Sequence, residues 1–326
     1  RLINFAHGEV YMLGAYAALF ASWQLGFAPN APAKESSWLI LALMLLVSMT
    51  VCAFIGVLIE RLAYRPMRNQ ARIASLITAI GVSLLLQYGG QIFLPNSPPP
   101  NISSKVNPYE GNLNVRIIPG DVQLERKVND LRPAVEKAKA DYDSQLEKEE
   151  DPYNLSPEGD RLRKEFQNKR NELEDAQGKF ANTGIAISAP RGQVIMFVST
   201  LVLMLALRHL VLFTKRGRAM RAVSHDFESA ALMGVDVGKV ITFTFVLGSA
   251  LAGAAAMMSA TFISGVKIDT FFGLLPGVKA FVAAVLGGIG NIPGAVLGGL
   301  LMGVAEALVV WAGYDNYRDA VAFVIL

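Results

Sequence analysis

The chain has 326 residues, 52% of them apolar and 17% charged, with a mean hydropathy of +0.38 and a formal net charge of +3. Its apolar residues are gathered into runs long enough to cross a hydrocarbon core of about 30 Å, which excludes a soluble globule and makes this a polytopic membrane protein. The basic residues concentrate in loops that flank those runs, where membrane topology already accounts for them, so nucleic acid is set aside as a partner.

Windows of about 19 residues place spans at Gly8 to Phe27, Trp38 to Ile59, Ile73 to Leu94, Gln193 to Phe213, Val240 to Ile263, Phe271 to Ile289 and Gly294 to Trp311. An eighth begins near Ala320. The chain opens at Arg1 and stops at Leu326 inside an apolar run, which predicts a further span before the first residue. Residues 1–94 thus form a first block of transmembrane helices, 95–190 an external insertion, and 191–326 a second block. The single cysteine, Cys52, lies within a span and supplies neither a disulfide nor a thiol pair for a metal.

Asn4, His7 and Glu9 are the polar residues at the mouth of the first span. An ionisable group near hydrocarbon is a functional candidate, here either hydrogen-bonded at the interface or in contact with a solute. Gly14, Ala15, Ala17 and Ala18 follow and permit close helix packing. After the second span, Arg61, Arg65, Arg68 and Arg72 crowd one short loop and mark it as cytoplasmic. The third span therefore runs outward, carrying Ser75, Thr78, Gln87 and Gln91 as a polar seam between helices or the wall of a permeation route.

Pro95 begins the external insertion. Within it Leu124, Val128, Leu131, Val135, Ala138 and Tyr142, then Leu162, Phe166, Leu173, Ala176 and Phe180, recur at spacings of three, four and seven. Turn residues between Asp151 and Asp160 separate the two arms, so an antiparallel helical hairpin is expected over 121–180, with Lys169 at one seam position. A solvated stalk and a docking arm are both compatible with it.

The fourth span returns to a polar segment, residues 214–239. Lys215, Arg216, Arg218 and Arg221 place it in the cytoplasm. Phe227 to Met233 predicts a short amphipathic helix closed by Gly234 in the left-handed conformation. Held between two spans, such a helix is suited to dock a soluble protein.

Further on, Gly287, Gly288, Gly290, Asn291, Pro293 and Gly294 break an apolar run. The break is either a tight cytoplasmic turn between two spans or a re-entrant kink lining a cavity. Glu306, an isolated carboxylate in the following span, must be paired or face water, and so acts as a structural tie or lines the route. No phosphate-binding GxxxxGK[ST] loop is present: Gly178-Lys179 and Gly238-Lys239 lack both the upstream glycine and the following Ser or Thr. An ATP-driven process must draw on another polypeptide.

INFAHGEVYMLGAY at Ile3 to Tyr16, ERLAYRPMR at Glu60 to Arg68, LITAIGVSLLLQ at Leu76 to Gln87, RGRAMRA at Arg216 to Ala222 and KAFVAAVLGGIGNIPGA at Lys279 to Ala295 together resemble the permease subunits of bacterial branched-chain amino acid ABC importers. The resemblance implies an all-α transmembrane bundle in the bacterial inner membrane. It further implies a second permease subunit, two cytoplasmic ATPases that carry ATP and Mg, and a periplasmic binding protein for leucine, isoleucine or valine. No cofactor or metal is expected on this chain. It also implies a coupling helix of the EAA type, where Glu228, Ala230 and Gly234 match, Ser229 replaces an alanine and the downstream Leu-Pro pair is missing. Arg216, Arg218, Phe227, Glu228, Ala230, Ala231 and Gly234 are the expected ATPase-coupling residues, and Asn4, His7, Glu9, Thr78, Gln87 and Glu306 the translocation-path candidates. The external hairpin has no counterpart in that family. A sister permease for urea, an ion-driven secondary transporter using Glu9 and Glu306, and a membrane scaffold presenting the hairpin are the competing readings.

Overall fold

The computed structural model describes residues 6–28, 36–67, 70, 72–95, 99–102, 106, 112–116, 122–146, 156–181, 186–263 and 266–325. They divide into two compact units, Arg1–Glu110 with Gly192–Leu326, and Gly111–Arg191.

The first unit is helical: α1 (His7–Ser22), α2 (Trp38–Ile59), α3 (Arg72–Phe93), α6 (Arg191–Phe213), α7 (Lys215–His225), α8 (Phe227–Leu232), α9 (Val237–Phe262), α10 (Leu274–Leu286), α11 (Ile292–Trp311) and α12 (Ala320–Ile325). Helical segments His7–Phe27, Trp38–Tyr64, Arg191–Phe213, Val237–Phe262 and Ile292–Trp311 are long and apolar enough to cross a membrane. The expected all-α membrane bundle is borne out.

Its centre is built on small residues, because lipid is as apolar as leucine and helices in it associate through close packing. Gly14 of α1 faces Cys52 of α2 and Gly253 of α9 so closely that a β-carbon there would lie 2.9 Å from both the Cys52 sulfur and the Gly253 Cα. The Ser48 hydroxyl stands 2.9 Å from the Gly14 carbonyl and 2.8 Å from that of Gly253, so one donor ties three helices. The Cys52 thiol donates to the Val10 carbonyl at 3.3 Å. Met12, Tyr16, Leu19, Met44, Met257 and Ile268 fill the space around this seam.

After α9 the structure departs from the expected span Phe271 to Ile289. Residues 266–273 are not helical and descend alongside α1. The Ile268 amide donates to the Pro100 carbonyl at 2.7 Å. The Tyr16 hydroxyl donates to Pro95 at 3.0 Å and stands 3.3 Å from the Ile268 carbonyl. Thr270 packs at Gly90 of α3, and Gly273 meets Gly8 backbone to backbone. As the segment advances from 268 to 273 its neighbour on α1 recedes from residue 16 to residue 8. Only there does α10 begin, with Pro276 in its first turn, where a missing amide hydrogen costs little. At 13 residues, about 20 Å, α10 is too short for a full crossing.

The break that follows is a tight turn between α10 and α11. Gly288 (φ +87°) and Gly290 (φ +101°) take left-handed conformations, and the Asn291 side chain caps α11 by accepting from the Gly294 amide at 3.2 Å. Gly287 lies against the Gly294 backbone and Gly298 against that of Ala283, leaving no room for side chains.

The second unit pairs α4 (Val122–Leu146) with α5 (Pro157–Ala181). Val128, Ala138 and Ala176 are buried in the seam, and Tyr142 stacks on Phe166 at 6.2 Å. Lys169, the polar seam residue, is only half-buried and pairs with Glu165 at 2.8 Å. Helix α5 starts at Pro157, inside the expected turn, because Pro suits the first helical position and the Ser156 hydroxyl accepts from the Gly159 amide at 3.2 Å. Residues 151–155 of that turn lie outside the described residues, as do Asn4 and Arg68. The sequence reading contains no strand, yet β1 (Asn112–Arg116) and β2 (Ala186–Pro190) form an antiparallel ribbon, Asn112 opposite Pro190 and Arg116 opposite Ala186.

Candidate functional site

The candidate positions fall into two groups in the membrane unit, with Glu306 placed apart. The first is the α7–α8 elbow. Thr214 caps α7 by accepting from the Gly217 amide at 3.1 Å, and Gly217 sits against the Leu210 and Val211 carbonyls where only glycine fits. A polar loop by its charge pattern, the basic stretch is helical here, and the sequence signal for that helix is its cap, Thr214.

Asp226 caps α8, accepting from the Glu228 amide at 3.0 Å, the Ser229 amide at 3.2 Å and the Ser229 hydroxyl. These donors, the Ser229 hydroxyl foremost, hold its carboxyl below the usual range. At the other end Gly234 adopts φ +82°, its amide donates to Ala231 at 3.0 Å, and Val235 donates to Ala230 at 3.1 Å. The predicted short helix and its glycine stop are both present.

Between those caps Ala230 turns inward at 6% exposure while Phe227, Leu232 and Met233 stand out at 52%, 88% and 84%. Glu228, Ala231, Arg216 and Arg218 are exposed as well. Arg216 points at α9 and holds its guanidinium 5.0 Å from the Phe243 ring centroid. An apolar knob with an acidic flank, fixed at both ends, can seat in a groove of another protein without ordering anything first.

The second group is interior. Glu9 is 4% exposed, yet its Oε2 has no hydrogen-bond partner among the described residues; the same holds for the hydroxyls of Thr261 and Thr270. Helical spacing puts Glu9 on the side of α1 that carries Met12 and Tyr16, the side met by Gly90 of α3 and by residues 268–270. Tyr11 fastens the neighbouring face: its hydroxyl is hydrogen-bonded to Ser259 of α9 and its ring stacks on Phe272 at 5.4 Å. His7 is half-buried at the start of α1, and Gln87 is buried in α3. Thr78 spends its hydroxyl on the Ala74 carbonyl at 2.8 Å, within its own helix. Thr261, Thr270 and Tyr11 were not singled out from sequence. The clue to Thr270 is the polar interval Lys267 to Thr270 interrupting an apolar run.

Glu306 is placed apart from these. Its two oxygens meet Lys279 at 2.9 Å and Arg318 at 3.3 Å, and Lys279 also meets Asp319 at 2.7 Å. Two cations neutralise two carboxylates, which supports the structural side of the alternative. Among the described residues no three His, Cys, Asp or Glu side chains gather as a metal site.

The description "branched-chain amino acid transport system / permease component" belongs to a family whose sequence pattern matches residues 1–326. The high-affinity branched-chain amino acid transport system permease protein LivH of Salmonella typhimurium is 32% identical over 325 residues, covering 100% of this chain and 82% of its own length. LivH of Escherichia coli gives the same figures, 32% over 325 residues with 100% and 82% covered. BraD of Pseudomonas aeruginosa, another high-affinity branched-chain amino acid permease protein, is 34% identical over 325 residues with the same shares of 100% and 82%. No solved structure matches the chain. With its bundle of membrane helices and a match along its whole length, the chain belongs to the family of branched-chain amino acid transport permeases.

Proposed function

We propose that this chain is the membrane-spanning permease of an ABC importer and passes leucine, isoleucine or valine from a periplasmic binding protein across the bacterial inner membrane, paired with a second permease subunit. Two cytoplasmic ATPases with their ATP and Mg supply the work. The observation that carries this reading is the α8 knob, capped by Asp226, stopped by Gly234 and exposing Phe227, Leu232 and Met233 between two membrane helices.

In this reading an ATPase groove takes α8, and closure of the ATPase pair pushes the α7–α8 elbow against the roots of α6 and α9. The tight small-residue contacts of α9 with α1 and α2 carry that push into the bundle as rigid-body movement. The segment 266–273 and the half-length α10 lie against α1 and shift with it. Glu9 is the counter-charge for the solute's ammonium: a carboxylate buried without a partner is costly, and a transient cation relieves it.

The test is ATP-dependent uptake of labelled leucine and labelled urea into vesicles with the cognate binding protein and ATPases, comparing wild type with Glu228→Ala plus Gly234→Pro. Leucine uptake abolished in the double variant while the complex still assembles is the expected result. Entry of urea instead overturns the solute, and uptake without ATP overturns the ABC mechanism.

A further inference from the structure

A cavity of about 800 Å³ opens where the expected cytoplasmic ends of α2, α7 and α9 meet. Arg61, Arg65, Arg216 and Lys239 line it, opposed within the lining by the single carboxylate of Asp236, which is already committed to Lys239 at 3.0 Å. Among the described residues no ion pair engages Arg61, Arg65 or Arg216. Thr242, also in the wall, turns its hydroxyl to the buried carboxylate of Glu60 at 3.0 Å, which lies outside the lining. Apart from Gly238, the rest of the wall is apolar: Ala219, Val235, Val240, Phe243 and Val246.

We infer that this cleft binds an anionic phospholipid of the cytoplasmic leaflet, its phosphate held by Arg61, Arg65 and Arg216 and the root of its acyl chains by Phe243 and Val246. Three arginines without an ion pair among the described residues, Arg216 still free to use its N–H edge while its face lies over Phe243, call for an anion with several acceptor oxygens, and guanidinium is the group best shaped for phosphate. Aliphatic walls select an amphiphile over a free phosphate ester, whose remaining surface would gain nothing there. Position agrees: Thr242 and Phe243 stand five and six residues into α9, about 9 Å from its start, the depth of headgroups and glycerol. Basic pockets between membrane helices on the cytoplasmic side are established headgroup sites. The inference rests on the membrane placement of α2 and α9 and not on the transported solute. The lipid would brace α7 against α9, tying the elbow that carries α8 to the bundle.

The experiment is lipid retention by the purified full chain, read by native mass spectrometry after exchange into mixed micelles of phosphatidylglycerol and phosphatidylcholine, with glycerol phosphate added as a soluble competitor. Wild type is expected to retain phosphatidylglycerol selectively, and Arg61→Gln with Arg65→Gln to lower that selectivity by about 25-fold, roughly fivefold for each charge near the anion. Val246→Trp, which keeps every charge and fills the apolar end, is expected to lose the lipid too. Arg161→Gln with Arg170→Gln, an equal loss of charge from the α4–α5 unit, is expected to change nothing. Unaltered selectivity in both cleft variants overturns the inference. Displacement by glycerol phosphate at equal concentration overturns the lipid as occupant. So does loss of ATPase binding by the arginine variants in lipid-free detergent with retention unchanged, which would assign the cleft to a protein partner. None of these results depends on transport, so failure here is distinct from failure of the importer reading.

Discussion

Lys279 on α10 holds its ammonium 2.9 Å from the Glu306 carboxylate on α11, locking the two arms of the glycine-tipped hairpin at the end away from their turn. Asp319 at 2.7 Å from Lys279, and Arg318 at 3.3 Å from Glu306, complete a balanced set of four charges. Lys279→Met leaves two carboxylates facing one arginine and is expected to destabilise by about 2 kcal/mol, below the ~3–5 kcal/mol of a fully buried pair because Lys279 keeps 22% of its side chain exposed. Glu306→Gln is expected to cost less, since Asp319 still neutralises Lys279. A double-mutant cycle on thermal stability should return a coupling of about 1 kcal/mol or more between Lys279 and Glu306. Additive effects would mean the pair is ornamental.

A β-carbon on Gly8 would fall 2.6 Å from the Gly273 carbonyl oxygen, and one on Gly273 would clash with Gly8 in turn. Gly8→Ala and Gly273→Ala should each cost about 3 kcal/mol, the upper range of overpacking, because backbone rather than a flexible side chain must give way. Gly248→Ala in α9, where nothing lies within 4 Å, is the matched control and should be neutral to mildly stabilising, since alanine is the better helix former. Melting temperatures of the three purified variants decide the matter.

The depressed carboxyl of Asp226 gives α8 a pH dependence of known sign. A folded value below the ordinary 3.8 means that the cap contributes fully above 3.8 and is lost as pH falls through the lower folded value. Hydrogen exchange at the Glu228 and Ser229 amides, corrected for intrinsic rates, should therefore lose protection as the pH falls below the ordinary 3.8. Asp226→Asn should flatten the profile, and Asp226→Ala should leave both amides unprotected throughout.

Gly234 has open space around it, so Gly234→Ala meets no clash and only the cost of a positive φ, about 1 kcal/mol. The end of α8 should fray, visible as faster exchange at the Gly234 and Val235 positions, while the melting temperature of the bundle stays unchanged. A shift of the whole transition would mean that α8 is integral to the core.

Much of this was legible because the residues involved carry local signals. The hairpin of α4 and α5 follows from heptad spacing, the α8 stop from Gly234, and the α10–α11 turn from a cluster of glycines with Asn291 and Pro293. What was hidden depends on contacts distant in sequence. Phe271 to Ile289 is apolar enough to read as a span, and the contacts that accompany its non-helical first residues, Ile268 with Pro100 and Gly273 with Gly8, come from residues distant in sequence. Glu306 shows its character once Lys279 and Asp319 arrive from other elements. The two strands are five residues each, too short for alternation to declare itself before their partners are known. The interior carboxylate of Glu9 was visible from sequence, but not that its Oε2 has no hydrogen-bond partner among the described residues.

The ribbon has a practical consequence. Pairing Asn112 with Pro190 sets the departing and returning strands about 5 Å apart, so everything from β1 to β2 is strung on a closed neck. Such a neck can be cut and rejoined with a two-residue link, or loaded with a different cargo whose ends lie equally close. A fluorescent reporter or an affinity handle spliced between residues 116 and 186 would hang from the same neck, because both strands of the ribbon are kept.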